Sequence, residues 1–77
     1  MKSTADWEAQ AKGAIRGELK RRGLSYADLA ERLAAIGVRE TPQNIQNKIT
    51  RGGFKAVFFL QCMEAIGVKT LQLETEG

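Results

Sequence analysis

The side chains best equipped for recognition chemistry lie in the run Thr41-Pro42-Gln43-Asn44-Ile45-Gln46-Asn47-Lys48-Ile49-Thr50-Arg51. An amide offers a donor beside an acceptor, matching the edge of adenine, and a guanidinium forks onto guanine or grips a phosphate. With Ile45 and Ile49 facing inward on a helical wheel, Gln43, Asn47 and Thr50 point away from the core. Asn44 and Arg51 then lie on one flank and Gln46 on the other. Residues 41–63 carry three basic and no acidic side chains, whereas residues 1–40 carry eight and six, and residues 64–77 one and three. A surface without carboxylates suits a phosphate polymer. Gln43, Asn44 and Asn47 are the candidates for reading base edges. Thr41 at the positive end of the helix, with Lys48, Arg51 and Lys55, suits backbone phosphates. The plainer reading of the same amides is a solvated helix face.

Other chemistries lack their parts. The chain has no histidine and one cysteine, Cys62, so neither an imidazole base nor a zinc site can be assembled. Gly13, Gly17 and Gly52-Gly53 follow no strand and fit no nucleotide-cradling spacing. No pair of carboxylates suggests an acid and a base. The expectation is a protein that is not an enzyme, with no metal, no cofactor and no small-molecule ligand.

At 77 residues, 43% of them hydrophobic and 27% charged, the chain is expected to form a single domain over residues 1–77. A core of that size leaves about 3–5 kcal/mol of net stability, so burial against a second subunit would be a natural supplement. Cys62, between Leu60-Gln61 and Met63, reads as a small buried hydrophobe in a reducing compartment. No apolar stretch follows Met1-Lys2-Ser3-Thr4-Ala5-Asp6, and the longest apolar run, Ala56 to Leu60, is too short to span a bilayer. A cytoplasmic location without membrane contact is expected.

These residues must be positioned by helices. Trp7, Ala11, Ile15 and Leu19 form an apolar stripe on a first helix over about residues 4–22. Ser25-Tyr26-Ala27-Asp28 is a capping-box pattern, with Leu24 placed to staple onto Leu29, opening a second helix over 25–36 whose core face is Leu29, Ala30, Leu33 and Ile36. Thr41-Pro42 caps a third over 41–51, and a fourth covers 54–66. Gly23, Gly37 and Gly67, each followed by an apolar residue, share one helix-stopping solution that brings Leu24 to Leu19, Val38 to Leu33 and Val68 to Met63. The tail, 69–77, alternates polar and apolar residues like a short strand. It is expected to lie extended, with Leu71 and Leu73 on the core or paired with another subunit.

The run Leu24-Ser25, Leu29-Ala30-Glu31-Arg32-Leu33, Gly37-Val38, Ile45, Ile49 and Arg51-Gly52, with the ending Leu60 to Val68, resembles the lambda-repressor-like (Cro/repressor) helix-turn-helix family over about residues 15–68. The whole chain, including Trp7, Arg22 to Ala30 and Arg51-Gly52-Gly53-Phe54, is also similar to a family of small bacterial proteins of unassigned function. The first resemblance implies an all-α, compact four-helix helix-turn-helix domain with a short extended C-terminal tail, in which the second helix scans and the third reads DNA. Two features depart from that pattern. The turn between Ala30 and Ile45 is longer than usual, and Val57 and Phe58 stand where the family is polar.

Two functions follow as expectations. The first is sequence-specific binding of double-stranded DNA by a small bacterial transcriptional regulator acting as a homodimer. The second is a protein-interaction or dimerisation module on the same scaffold without DNA binding. A partner surface could come from the apolar fourth helix, from the small-residue row Ala5, Ala9, Gly13 and Gly17 on the first, or from the tail.

Overall fold

A computed structural model of the chain describes residues 1–71 and 73. Four helices are present: α1 (Thr4–Arg21), α2 (Tyr26–Ala35), α3 (Pro42–Arg51) and α4 (Ala56–Ile66), and the described residues contain no strand. The protein is all-α. Both α1 and α2 pack on α3 and on α4, so the four helices close a ring around one core. That core is Ile15, Leu19, Leu29, Leu33, Ile45, Ile49, Phe58, Cys62, Met63 and Ile66.

Each helix starts where local chemistry satisfies its free N–H groups. The Ser25 hydroxyl accepts from the Asp28 N–H at 3.1 Å, and the Asp28 carboxylate accepts from the Ser25 N–H at 2.9 Å. The same reciprocal box, Ser3 with Asp6, opens α1, and nothing in the reading of the hydrophobic stripe had pointed to it. Thr41 caps α3 through the Asn44 N–H at 3.1 Å, with Pro42 in the first turn.

The helix ends follow the glycines. Gly37 takes φ 84°, which lets its N–H reach the Ala34 carbonyl at 3.0 Å while the Val38 N–H reaches Leu33 at 2.9 Å. Leu24 to Leu19 and Val68 to Met63 repeat that bond, each at 2.9 Å. The paired residues are the ones expected to meet from their spacing.

Four expectations need correction. Helix α4 begins at Ala56 rather than residue 54, because Lys55 is extended at the cap position. Phe54 instead lies before the cap and stacks on Phe59 at 6.2 Å between ring centroids, with Phe58 edge-on at 5.7 Å, a hydrophobic staple across the helix start. Trp7 does not join the core. Its side chain is 57% exposed, with the Lys2 ammonium 4.8 Å from the ring centroid. The cause is length: 18 residues make α1 about 27 Å long, so its first turns overhang helices of 10 or 11 residues. Ile36 is also exposed, since it falls at the cap after Ala35 and Val38 packs on the core in its place. Finally, Leu71 and Leu73 are exposed, so of the two alternatives for the tail it is packing on the core of its own chain that fails. The rest of the tail expectation, at Gln72 and residues 74–77, lies outside the described residues.

Helix α1 runs from the α3–α4 connection to the far end of α4. At one end Glu8 lies against Gly52 and Gly53. At the other, Arg22 Nη1 donates to the Ile66 carbonyl at 2.8 Å. Phe58 is buried, with the Phe54 ring edge-on to it and the Lys48 ammonium over its face, but Val57 is 62% exposed and Leu60 66%.

Candidate nucleic-acid interface

Helix α3 hides Ile45 and Ile49 completely and exposes every other residue along its length. On the outward side the Gln43 amide donates to the Asn47 amide oxygen at 3.1 Å, so the two side chains that stand one turn apart form a single polar row. Their remaining donors and acceptors face solvent. Asn44 is exposed beside them, and Thr50 continues the row toward the C-terminal end.

The cations selected from the sequence separate into two kinds. Lys48 turns along the flank toward α4, where its ammonium pairs with Glu40 and lies 4.9 Å from the centroid of the Phe58 ring. Glu40 is the residue that neutralises it, from the connection preceding α3. Arg51 and Lys55 are exposed, and neither forms an ion pair among the described residues. Thr41 spends its hydroxyl on the cap of α3. It stands at the helix start, away from Arg51 and Lys55 by the length of the helix.

The structure adds two residues that sequence reasoning had not selected. Lys12 Nζ donates to the Thr50 carbonyl at 3.4 Å, and Arg16 Nη2 to the Thr50 hydroxyl at 3.5 Å. Both come from α1. They bring positive charge to the end of the amide row and complement the negative C-terminal end of α3. The signal available for them was their spacing of four residues on the first helix, obscured by the acidic residues interspersed there. Glu8 arrives from the same helix at Gly52 and Gly53, so α3 has no carboxylate of its own but has one at its C-terminal end.

The remaining acidic groups serve the scaffold. Hydrogen bonds from the backbone N–H and then the hydroxyl of the cap serine hold the carboxyls of Asp6 and Asp28 below their ordinary value. Hydrogen bonding from Arg21, with help from Arg22, does the same for Glu18. Cys62 is fully buried, and burial with the nearby Glu40 charge pushes its thiol up to about 12. Among the described residues no group of three His, Cys, Asp or Glu side chains could hold a metal ion, and no helix is long and apolar enough to cross a membrane.

A family model described as a domain of unknown function, DUF6471, matches residues 7–71. The chain belongs to this family. No curated protein and no solved structure matches the chain. The DUF6471 match takes in α2, α3 and α4 entirely and α1 from Trp7 onward, so the amide row and its α1 cations all belong to the family's domain. The DUF6471 description carries no activity to transfer, and the site has to be read from its own chemistry.

Proposed function

We propose that this DUF6471 domain binds double-stranded DNA in a sequence-specific manner, with α3 in the major groove, as a small bacterial transcriptional regulator in the cytoplasm. One observation carries the reading: the outward row of α3, Gln43 hydrogen-bonded to Asn47, contains only amides, hydroxyl and cations. Such a row presents donor–acceptor pairs to base edges without repelling phosphate. Arg51 and Lys55 supply exposed positive charge next to it, and the resemblance to the Cro/repressor family read from the sequence of residues 15–68 supports a recognition role for this helix. Binding requires no cofactor or small-molecule ligand.

The regulator would act as a homodimer. Val57 and Leu60 are 62% and 66% exposed on α4, whose Phe58, Cys62, Met63 and Ile66 belong to the core, and large apolar side chains left in water favour association. That observation also favours the second reading, a protein-interaction module that keeps the scaffold without duplex affinity. Selection of the full chain against a random duplex library at low and moderate salt separates the two. Enrichment of a common sequence is expected. Retention that vanishes at moderate salt without any enriched sequence reduces the protein to generic attraction, and no retention at either salt leaves the interaction module.

A further inference from the structure

Lys12, Arg16 and Lys20 recur every fourth residue of α1, so they form one row down the helix with steps of about 6 Å. The row begins where Lys12 and Arg16 reach Thr50 at the end of the α3 amide row. It ends in an open depression that Arg16 and Lys20 line together with Ser25 and Tyr26 at the start of α2.

None of the three cations forms an ion pair among the described residues. By contrast, the neighbouring Arg21 and Arg22 share Glu18, and Lys48 is held by Glu40. The acidic member of the same row is Glu8, one turn before Lys12, and it lies against Gly52 and Gly53 at the row's beginning. From Lys12 to Lys20 the face is therefore a line of positive charge that no carboxylate among the described residues pairs with. A line of this kind is complementary to a line of negative charge, and DNA supplies one along each strand.

We propose that Lys12, Arg16 and Lys20 form a second contact with the duplex, carrying phosphates of one strand beside the groove that α3 enters. The inference rests on the reading of α3 as a DNA-contacting helix, since Thr50 is where the two rows meet. It assigns to α1 a role in affinity and in fixing the angle of α3, and none in base selection. If instead these side chains only complement the C-terminal ends of α3 and α1, their loss will lower the melting temperature and leave the salt dependence of DNA binding untouched.

The test is equilibrium binding of the full chain to a fluorescein-labelled duplex of random sequence across a series of salt concentrations. Wild type is compared with K12Q, R16Q, K20Q, the triple variant, and R32Q, a cation of α2 outside the row. Each row variant is expected to flatten the slope of log K against log salt by about 0.9, and the triple variant by about three times that, while R32Q leaves it unchanged. The single variants keep refutation possible should the triple variant unfold. Unchanged slopes in the row variants, with wild type binding the duplex and Asn47→Ala still weakening its preferred site, overturn this inference and spare the reading of α3. Equal flattening by R32Q overturns it too, by showing a response to total charge. Absence of duplex binding by wild type removes both.

Discussion

Glu8 and Gly52 are in direct contact across the α1–α3 boundary. A methyl group on Gly52 would stand 2.9 Å from the Glu8 Cβ and 3.2 Å from its carbonyl oxygen, and Gly52 itself has φ 75°. Backbone approach and left-handed geometry thus both require glycine. At Gly37, with φ 84°, the space around a methyl is open. Gly37→Ala is expected to cost about 1 kcal/mol from the backbone alone, and Gly52→Ala about 2–4 kcal/mol once overpacking is added. Gly13→Ala, with nothing within 4 Å, should stabilise by about 0.5–1 kcal/mol. Thermal melts of the three variants check the order, and equal losses at Gly37 and Gly52 would contradict the close approach of α1.

The capping boxes tie stability to acid pH. The folded-state values of Asp6 and Asp28 lie below 3.8, so the ionised carboxylates favour the folded state. Their contribution is complete above the unfolded-state value and is lost as the pH falls through 3.8 toward the depressed folded values. Wild type is expected to lose melting temperature over that acid window more steeply than Asp28→Asn, which keeps the Asp6 contribution but has no carboxyl to titrate at the α2 cap. Parallel melting curves for the two proteins, from neutrality down to below pH 3.8, would rule out this role for Asp28.

Cys62 should be chemically silent in the folded protein. With its thiol raised to about 12 and its side chain fully buried, thiolate is scarce at any ordinary pH and reagents have no access. Iodoacetamide at mildly alkaline pH is expected to modify denatured protein fully and native protein negligibly, as read by mass spectrometry. Equal rates in the two states would place Cys62 outside the core.

The α3 surface predicts a division of labour among its residues. Asn47→Ala should weaken binding to a selected site by about 1–3 kcal/mol and relax selectivity at one base pair. Arg51→Gln and Lys55→Gln should weaken all duplexes alike and flatten the salt slope. Lys48→Ala should do neither to a comparable extent, because Glu40 already holds that ammonium. Titration of each variant against the selected and a scrambled duplex reads all three behaviours. A Lys48 effect as large as that of Lys55 would mean that the pair with Glu40 opens on binding.

The sequence by itself determined the all-α class, the four helices and the way most of them begin and end. Those features are local. A serine with an aspartate three residues later, a threonine before a proline, and a glycine followed by an apolar residue each act within one turn of backbone, and their hydrogen bonds form wherever the helix is placed. The inward faces were legible for the same reason, since Ile45 and Ile49, or Leu29 and Leu33, repeat with the helical period.

Tertiary structure decided what depends on where one helix stops relative to another. The overhang of α1 leaves Trp7 in solvent although it shares a stripe with Ile15 and Leu19. The α2–α3 connection brings Glu40 to Lys48, and α4 brings Phe58, although its residue type suited it to meet phosphate. Most consequentially for function, Lys12 and Arg16 meet Thr50 across a separation of 38 and 34 residues. Periodicity states which residues share a helix face; which other face that one meets is set by packing of the ring of helices around its core.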